Sequence, residues 1–374
     1  MEHEKLITIL RQNIKDAIND DGELNLYLQW PLEIPTTEEY AQLDALQYDY
    51  SAEDVDEALT AFDDLCLEKI LCLRLKGFTL KRLPEQVRRL KNLQELFLLE
   101  TGISHFPQWF PELVNLKNLY LEANGFSKRS VQLFNHLEPI LKLPALEELH
   151  FSDDHSHSVT IPDLVGKCAH LKKLSLNGTN LTALPEWVRN LKGLTKLVLL
   201  GPLFTELPEW IGELARLESL WVCDTWYIRE LPASIGNLTE LKELILNSND
   251  VPELPDSFSN LIKLQKLSIM GLGPNGDRDL KVIPEWIGNL TALKYLFLFN
   301  TDVACLPDSM ANCTALECLV ISNTYISELP AWMEELTALK KLEIQRTKIK
   351  EIPECLLQRE AAGYLEIRRK DTDE

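Results

Sequence analysis

The densest collection of metal-ligand side chains in this chain is His150-Phe-Ser-Asp153-Asp154-His155-Ser-His157. Imidazoles and carboxylates suit zinc or nickel, so the run raises a metal-dependent enzyme centred on His150 and Asp153 as one reading. No two of these ligands share a fixed spacing on a regular element, and the run is expected to be a solvated loop. The metal reading therefore ranks last. Asp277 and Asp279, in the stretch from Gly271 to Asp279, have the composition of a calcium loop but lack its terminal bidentate glutamate. There is no phosphate-binding loop, no Gly-x-Ser-x-Gly and no Cys/His pair with a family signature. No catalytic residue, metal or cofactor is expected, and the chain is not expected to be an enzyme. Eight cysteines occur without a Cys-x-x-Cys. Cys168 and Cys313 stand where other repeats carry a buried leucine, which predicts small buried hydrophobes and a reducing compartment.

The elements that position these side chains recur every 23 residues or so. Leu171-Lys-Lys-Leu174-Ser-Leu176-Asn-Gly-Thr179-Asn-Leu181-Thr-Ala-Leu184-Pro185-Glu-Trp187 is one copy. Copies begin at Ile70, Leu93, Leu116, Leu146, Leu171, Leu194, Leu217, Leu241, Leu264, Leu293, Leu316 and Leu339, with a half-copy around Tyr364, Leu365 and Ile367. Leucines two apart point to one side of a short strand, and only stacking of successive units into a parallel sheet buries them. The Leu-Pro pairs preset φ for a short helical turn on the far side. Thr101, Thr179, Thr225, Thr301, Thr324 and Thr347, with Asn124 and Asn249, stand where the chain leaves the strand. There a small polar side chain is expected to serve backbone groups of a neighbouring turn. Glu186 and Glu209 lie on the far side and are expected to be dispensable.

This unit, with its Leu-Pro-x-x-Ile/Val-x-x-Leu second half, resembles the cytoplasmic leucine-rich repeats of the plant Ras-group, Ras-suppressor and Scribble/erbin type, and similar bacterial repeat proteins. The resemblance runs from Ile70 to about Ile367. It implies an α/β horseshoe solenoid with a parallel concave sheet and short convex helical turns, working as a protein-binding scaffold. Threonine at the strand exit and a convex tryptophan (Trp109, Trp187, Trp210, Trp286, Trp332) depart from the commoner pattern.

Three regions follow: an acidic, mainly helical N-terminal cap over 1–69, twelve repeats and a half-repeat over 70–367, and a polar tail over 368–374. Of 58 acidic and 38 basic residues, 18 and 4 fall within 1–69, which leaves 40 and 34 for the remainder. The acidic block and near-neutral repeats disfavour nucleic acid, which needs a basic footprint. No stretch is apolar enough to span a membrane, and the N-terminus does not read as a signal peptide. Leu6, Ile9, Leu10, Ile14, Ala17 and Ile18 predict a helix ended by Asp20-Asp21-Gly22. Leu24, Leu26, Leu28 and Trp30 predict a strand, and Ser51 with Asp54 predicts a capping box opening a second helix. The over-long unit from Leu116 predicts a longer convex helix using Val131, Phe134, Leu137 and Leu141. The insertion at 271–279 predicts a loop beside the inner wall.

The inward columns of an open solenoid lie in water, where the fold does not require apolar residues. Yet Phe97, Leu99 and Tyr120 cluster there, as do Val198, Leu200, Trp221 and Ile245, and then Met270, Tyr295, Phe297, Phe299 and Val320. Contiguous exposed apolar surface marks an interaction site. The leading expectation is a cytoplasmic, non-catalytic scaffold that binds a protein partner on this wall. A bacterial effector or surface protein, secreted without a classical signal peptide and using the same wall on a host protein, is the alternative. Self-association through the wall is a further reading.

Overall fold

Each repeat points its leucines one way, and the sheet follows from that. The computed structural model describes residues 2–19, 22–26, 51–76, 80–123, 136–153, 161–178, 181–201, 203–224, 228–247, 251–271 and 280–369. The chain forms two compact units, Met1–Thr179 and Asn180–Glu374. In the first, β1 (Glu23–Leu26), β2 (Cys72–Lys76), β3 (Glu95–Leu99), β4 (Asn118–Ala123), β5 (Glu148–Asp153) and β6 (Lys173–Asn177) pair in parallel in chain order. The register is the repeat itself: Leu73, Leu96, Leu119, Leu149 and Leu174 stand side by side, all at most 1% exposed. In the second, β7 (Lys196–Leu200), β8 (Ser219–Cys223), β9 (Glu243–Asn247) and β10 (Lys266–Met270) continue the same way. They are followed by β11 (Tyr295–Phe299), β12 (Cys318–Val320), β13 (Lys341–Glu343) and β14 (Glu366–Arg368). β14 thus takes in Arg368, the first residue assigned to the tail. Each fully buried leucine of these rows contributes roughly 1.5–3 kcal/mol.

At seven described strand exits the chain leaves through a left-handed residue. Glycine fills that place at Gly178 (φ 60°) and Gly201 (φ 64°), and Asp224, Asn300 and Asn323 fill it elsewhere. Asn and Asp tolerate this conformation, but Glu100 (φ 52°) and Arg346 (φ 54°) hold it as strained positions. One residue on, two of the threonine hydroxyls act differently from expectation. Thr324 and Thr347 donate to carbonyls of their own repeat, Ile321 and Ile344, each at 2.8 Å. Thr179, Thr225, Asn124 and Asn249 lie outside the described residues.

Extended prolines then open five-residue 3-10 turns such as Glu186–Asn190 and Glu209–Glu213. A rigid stack of such turns brings backbone very close. A Cβ on Gly236 would sit 2.3 Å from the Ser257 carbonyl oxygen, and one on Gly288 2.5 Å from that of Ser309. Where the turn opens on glutamate, that residue can bridge repeats. Glu85 accepts from the Trp109 indole at 2.7 Å and Glu186 from that of Trp210 at 2.9 Å. Glu209 and Glu285 accept from the backbone N–H of Ser234 (3.3 Å) and Ser309 (3.2 Å). Glu186 and Glu209 are therefore structural, contrary to the sequence expectation. In the long unit, Leu137 precedes a 3-10 turn over Glu138–Lys142, which takes in Leu141; the rest of the expected longer helix, with Val131 and Phe134, lies outside the described residues.

Before the repeats, α1 (Glu2–Asn19) packs against α2 (Ala52–Thr60) and β1. The α2 capping box is formed as predicted, Ser51 and Asp54 each accepting from the other's backbone N–H. Carboxylates of the acidic block engage the first turn of the repeats. Glu53 and Asp56 each hold Arg82 at 3.0 Å, and Asp64 holds Arg89 at 2.6 Å. Arg89 also donates to the carbonyls of Leu59 (3.3 Å) and Phe62 (2.7 Å). At the other end Arg359, on α3 (Glu354–Ala361), donates to the carbonyls of Leu336 (2.9 Å) and Thr337 (3.2 Å). In both places one guanidinium satisfies several helix- or turn-end carbonyls.

Candidate interaction surface

In the first unit, strand pairing at the usual spacing of about 4.8 Å is close enough for planar side chains in one column to stack. Phe97 and Tyr120 do so with centroids 3.9 Å apart and planes 5° apart. Tyr120 and His150 follow at 4.2 Å and 11°. The Arg74 guanidinium covers the outer face of Phe97 at 4.5 Å from the centroid. Four successive strands thus contribute to one ladder, with Leu99 and Glu122 beside it. Burial, helped by the nearby Glu148 and Glu95 carboxylates, pushes the Tyr120 phenol up to about 12, so it stays protonated. Burial and the neighbouring Glu100 carboxylate likewise raise the Glu122 carboxyl above its ordinary range.

The metal reading of His150 and Asp153 does not survive this geometry. Both belong to β5 rather than to a loop, and successive side chains of a strand point to opposite faces. His150 stacks on the open face, whereas Asp153 is turned to the core side and is 5% exposed. Asp154, His155, His157, Asp277 and Asp279 lie outside the described residues. Among the described residues no three ligand-type side chains converge.

In the second unit the wall is built around Trp221. Its indole N–H donates to Glu243 at 2.7 Å, and the Lys196 ammonium lies 3.8 Å from its ring centroid. The same carboxylate accepts from Ser219 (2.8 Å) and from Lys266 (3.0 Å), whose ammonium also stands 6.0 Å from the Phe297 centroid. Burial opposes the charged form of Glu243, but hydrogen bonds from Lys266, Trp221 and Ser219 outweigh it and hold the carboxyl below its ordinary range. Register places Trp221, Ile245, Ser268 and Phe297 on four consecutive strands. Leu200, Trp221, Met270, Phe297 and Phe299 are half-buried and Tyr295 is exposed. Val198, Ile245 and Val320 are not in water as expected: they are 8%, 7% and 6% exposed. Val198 and Ile245 flank Trp221 and Val320 flanks Phe297, so the larger ring beside each covers it, and these three underlie the patch rather than present it.

Sequence reasoning missed Glu243 as the group that orients Trp221. Its place in the column of Lys196, Ser219 and Lys266 was the available signal. Of the eight cysteines, none is paired. Cys313 is fully buried, with its thiol 3.4 Å from the Ile287 carbonyl, and Cys168 is half-buried. Burial pushes both thiols up to about 11.

A parallel sheet of leucine-lined repeats, backed by 3-10 turns and fronted by a part-apolar face, defines a leucine-rich-repeat solenoid. A family model for a leucine-rich repeat region matches residues 127–271. The volume-regulated anion channel subunit LRRC8A of rat, mouse and human is 27% identical over 210 residues. That alignment takes in 56% of this chain but only 22% of the channel subunit. Among solved structures, an internalin of Listeria monocytogenes is similar with a TM-score of 0.60 at 17% identity, over 86% of this chain and 90% of that one. A leucine-rich-repeat protein of Leptospira interrogans is similar with a TM-score of 0.52 at 22% identity, over 96% and 98%. The chain has the leucine-rich-repeat fold, and its residues 127–271 carry the sequence pattern of that repeat.

Proposed function

We propose that this protein is a non-catalytic scaffold that binds a protein partner on the open face of its repeat sheet. The observation that carries the reading is the row of half-buried aromatic side chains that the register aligns there. The core lies on the opposite side of the strands, so no packing requirement explains Trp221, Phe297 or Phe299, and aromatic anchors dominate interface energies. Residues 1–69 act as a cap for the first repeat, a role supported by the contacts of Arg82 and Arg89. A reducing compartment fits eight unpaired cysteines.

The test is affinity capture from the native source with wild type and Trp221→Ala/Phe297→Ala side by side. The pair should abolish capture, since an aromatic hot spot is worth roughly 2 kcal/mol or more of binding. The control is Lys263→Ala, which removes only an exposed ion pair with Glu240. A folded double variant that still captures the same partner would overturn the reading.

A further inference from the structure

The two units present different faces to a partner. In the first, the aromatic rings offer their edges, because their flat sides are taken: Arg74 lies on Phe97, Phe97 on Tyr120, and Tyr120 on His150. Ring edges carry the positive end of the quadrupole, so they suit apolar side chains and carbonyl oxygens, and a cation gains nothing over them. A cation would go instead to the carboxylates that flank the ladder. Two of those are already matched, Glu100 by Lys76 at 3.2 Å and Glu148 by Lys173 at 2.5 Å. Two are not. Glu95 accepts from the neutral amide of Asn118 at 3.1 Å and has no ion pair among the described residues. Glu122 has neither, although it is half-buried on the strand next to Glu100, whose backbone N–H donates to the Glu122 carbonyl.

We infer that the open face of the first unit seats a basic, partly aliphatic segment of a protein partner. Basic side chains of that segment meet Glu95 on one side of the ladder and Glu122 on the other, and its apolar side chains lie along the edges of Phe97 and Tyr120. Burial and Glu100 disfavour the charged form of Glu122 by more than Lys76, which is ion-paired to Glu100, favours it, and a partly desolvated carboxylate with no ion pair of its own is a standing cost that an incoming cation removes. The second unit supplies an internal contrast. There Lys196 and Lys266 stand over the aromatic rings, so the same segment would meet like charge. The inference rests on the scaffold reading above and names the chemistry of one part of its face.

The probe is a fluorescein-labelled octapeptide of alternating arginine and leucine, titrated by anisotropy against the full chain at about 0.1 M salt, where longer-range attraction to the acidic protein is screened. Glu95→Gln/Glu122→Gln should weaken binding about five-fold or more, a change on the order of 1 kcal/mol. Phe97→Ala/Tyr120→Ala should weaken it comparably, with melting curves confirming that both variants fold. Glu334→Gln/Glu351→Gln removes the same charge elsewhere and should leave binding unchanged. An equal loss in that control would mean that only bulk charge is read, and would overturn the inference. So would an unchanged affinity in Glu95→Gln/Glu122→Gln, or equal binding of a glutamate–leucine peptide. Capture from the native source separates the two claims. If Trp221→Ala/Phe297→Ala abolishes it and Glu95→Gln/Glu122→Gln does not, the scaffold stands and this inference falls; if neither affects it, both fall.

Discussion

Replacing Asp308 by Glu should stabilise the second unit by about 1 kcal/mol, through Trp332 alone. The turn-opening residue reaches the tryptophan one repeat on when it is glutamate, as Glu186 does to Trp210 at 2.9 Å. Asp256 and Asp308 hold the same place before Trp286 and Trp332, and those two indole nitrogens are buried without a hydrogen-bond partner. Aspartate is one methylene shorter, about 1.5 Å of reach. A hydrogen bond to a charged acceptor contributes roughly 1.5–3 kcal/mol net. Ordering a glutamate side chain costs up to about 1.5–2 kcal/mol, so a gain near 1 kcal/mol remains. The assay is urea unfolding followed by circular dichroism for wild type, Asp308→Glu, Trp332→Phe and the double variant. Because phenylalanine has no N–H, the gain should vanish in its background, and the indole proton of Trp332 should shift downfield when the bond forms. Equal stabilisation with and without the indole, or a coupling below about 0.3 kcal/mol, would refute the reach argument. The reverse change, Glu186→Ala, should cost about 1–3 kcal/mol by orphaning the Trp210 N–H.

Three further outcomes are expected. Gly236→Ala would drive a methyl to 2.3 Å from the Ser257 carbonyl oxygen, backbone that cannot rotate away, and should cost about 1–3 kcal/mol in urea unfolding. Glu122 has a carboxyl raised in the folded state above its ordinary 4.5, so the native chain binds that proton more tightly and loses stability as pH rises through this range. Glu122→Gln should accordingly be more stable than wild type at pH 7, with the difference shrinking in melts toward pH 4. Glu243 behaves oppositely: its carboxyl is held below 4.5, so its contribution is present at neutral pH and is lost as pH falls beneath that value. Glu243→Gln should broaden or shift the Trp221 indole resonance at neutral pH while leaving the other indole signals in place.

The sheet was readable from the sequence because its signals are local. Leucines two apart fix which side of a strand is buried, and the repeat length aligns Leu73 with Leu96 and Trp221 with Ile245 before any coordinates are known. The capping box at Ser51 was readable for the same reason, since partner and cap are three residues apart. What failed depends on where a strand stops or on the reach of a side chain across repeats. Continuing β5 through Asp153 turned a loop with two neighbouring ligands into a strand with ligands on opposite faces. Glu186 and Glu209 looked dispensable and Glu243 drew no reading, yet each meets a partner 22 to 25 positions away in the sequence.

Column alignment names the neighbour of every wall residue but leaves open which surface of that neighbour remains for a partner. Phe97 and Tyr120 read as a pair of exposed rings, whereas stacking has closed their faces and left their edges. Trp221 reads as a free hot spot, whereas Lys196 lies on its ring and Glu243 holds its nitrogen. A partner at Trp221 must either displace that lysine or accept it as part of the contact, and a fixed indole loses little entropy in being bound. A partner at the Phe97 ladder meets rings already ordered, with its selectivity set by the carboxylates alongside. Two aromatic patches that look alike in composition would therefore select different chemistry in a partner, the difference arising from which charged residue occupies the adjoining strand.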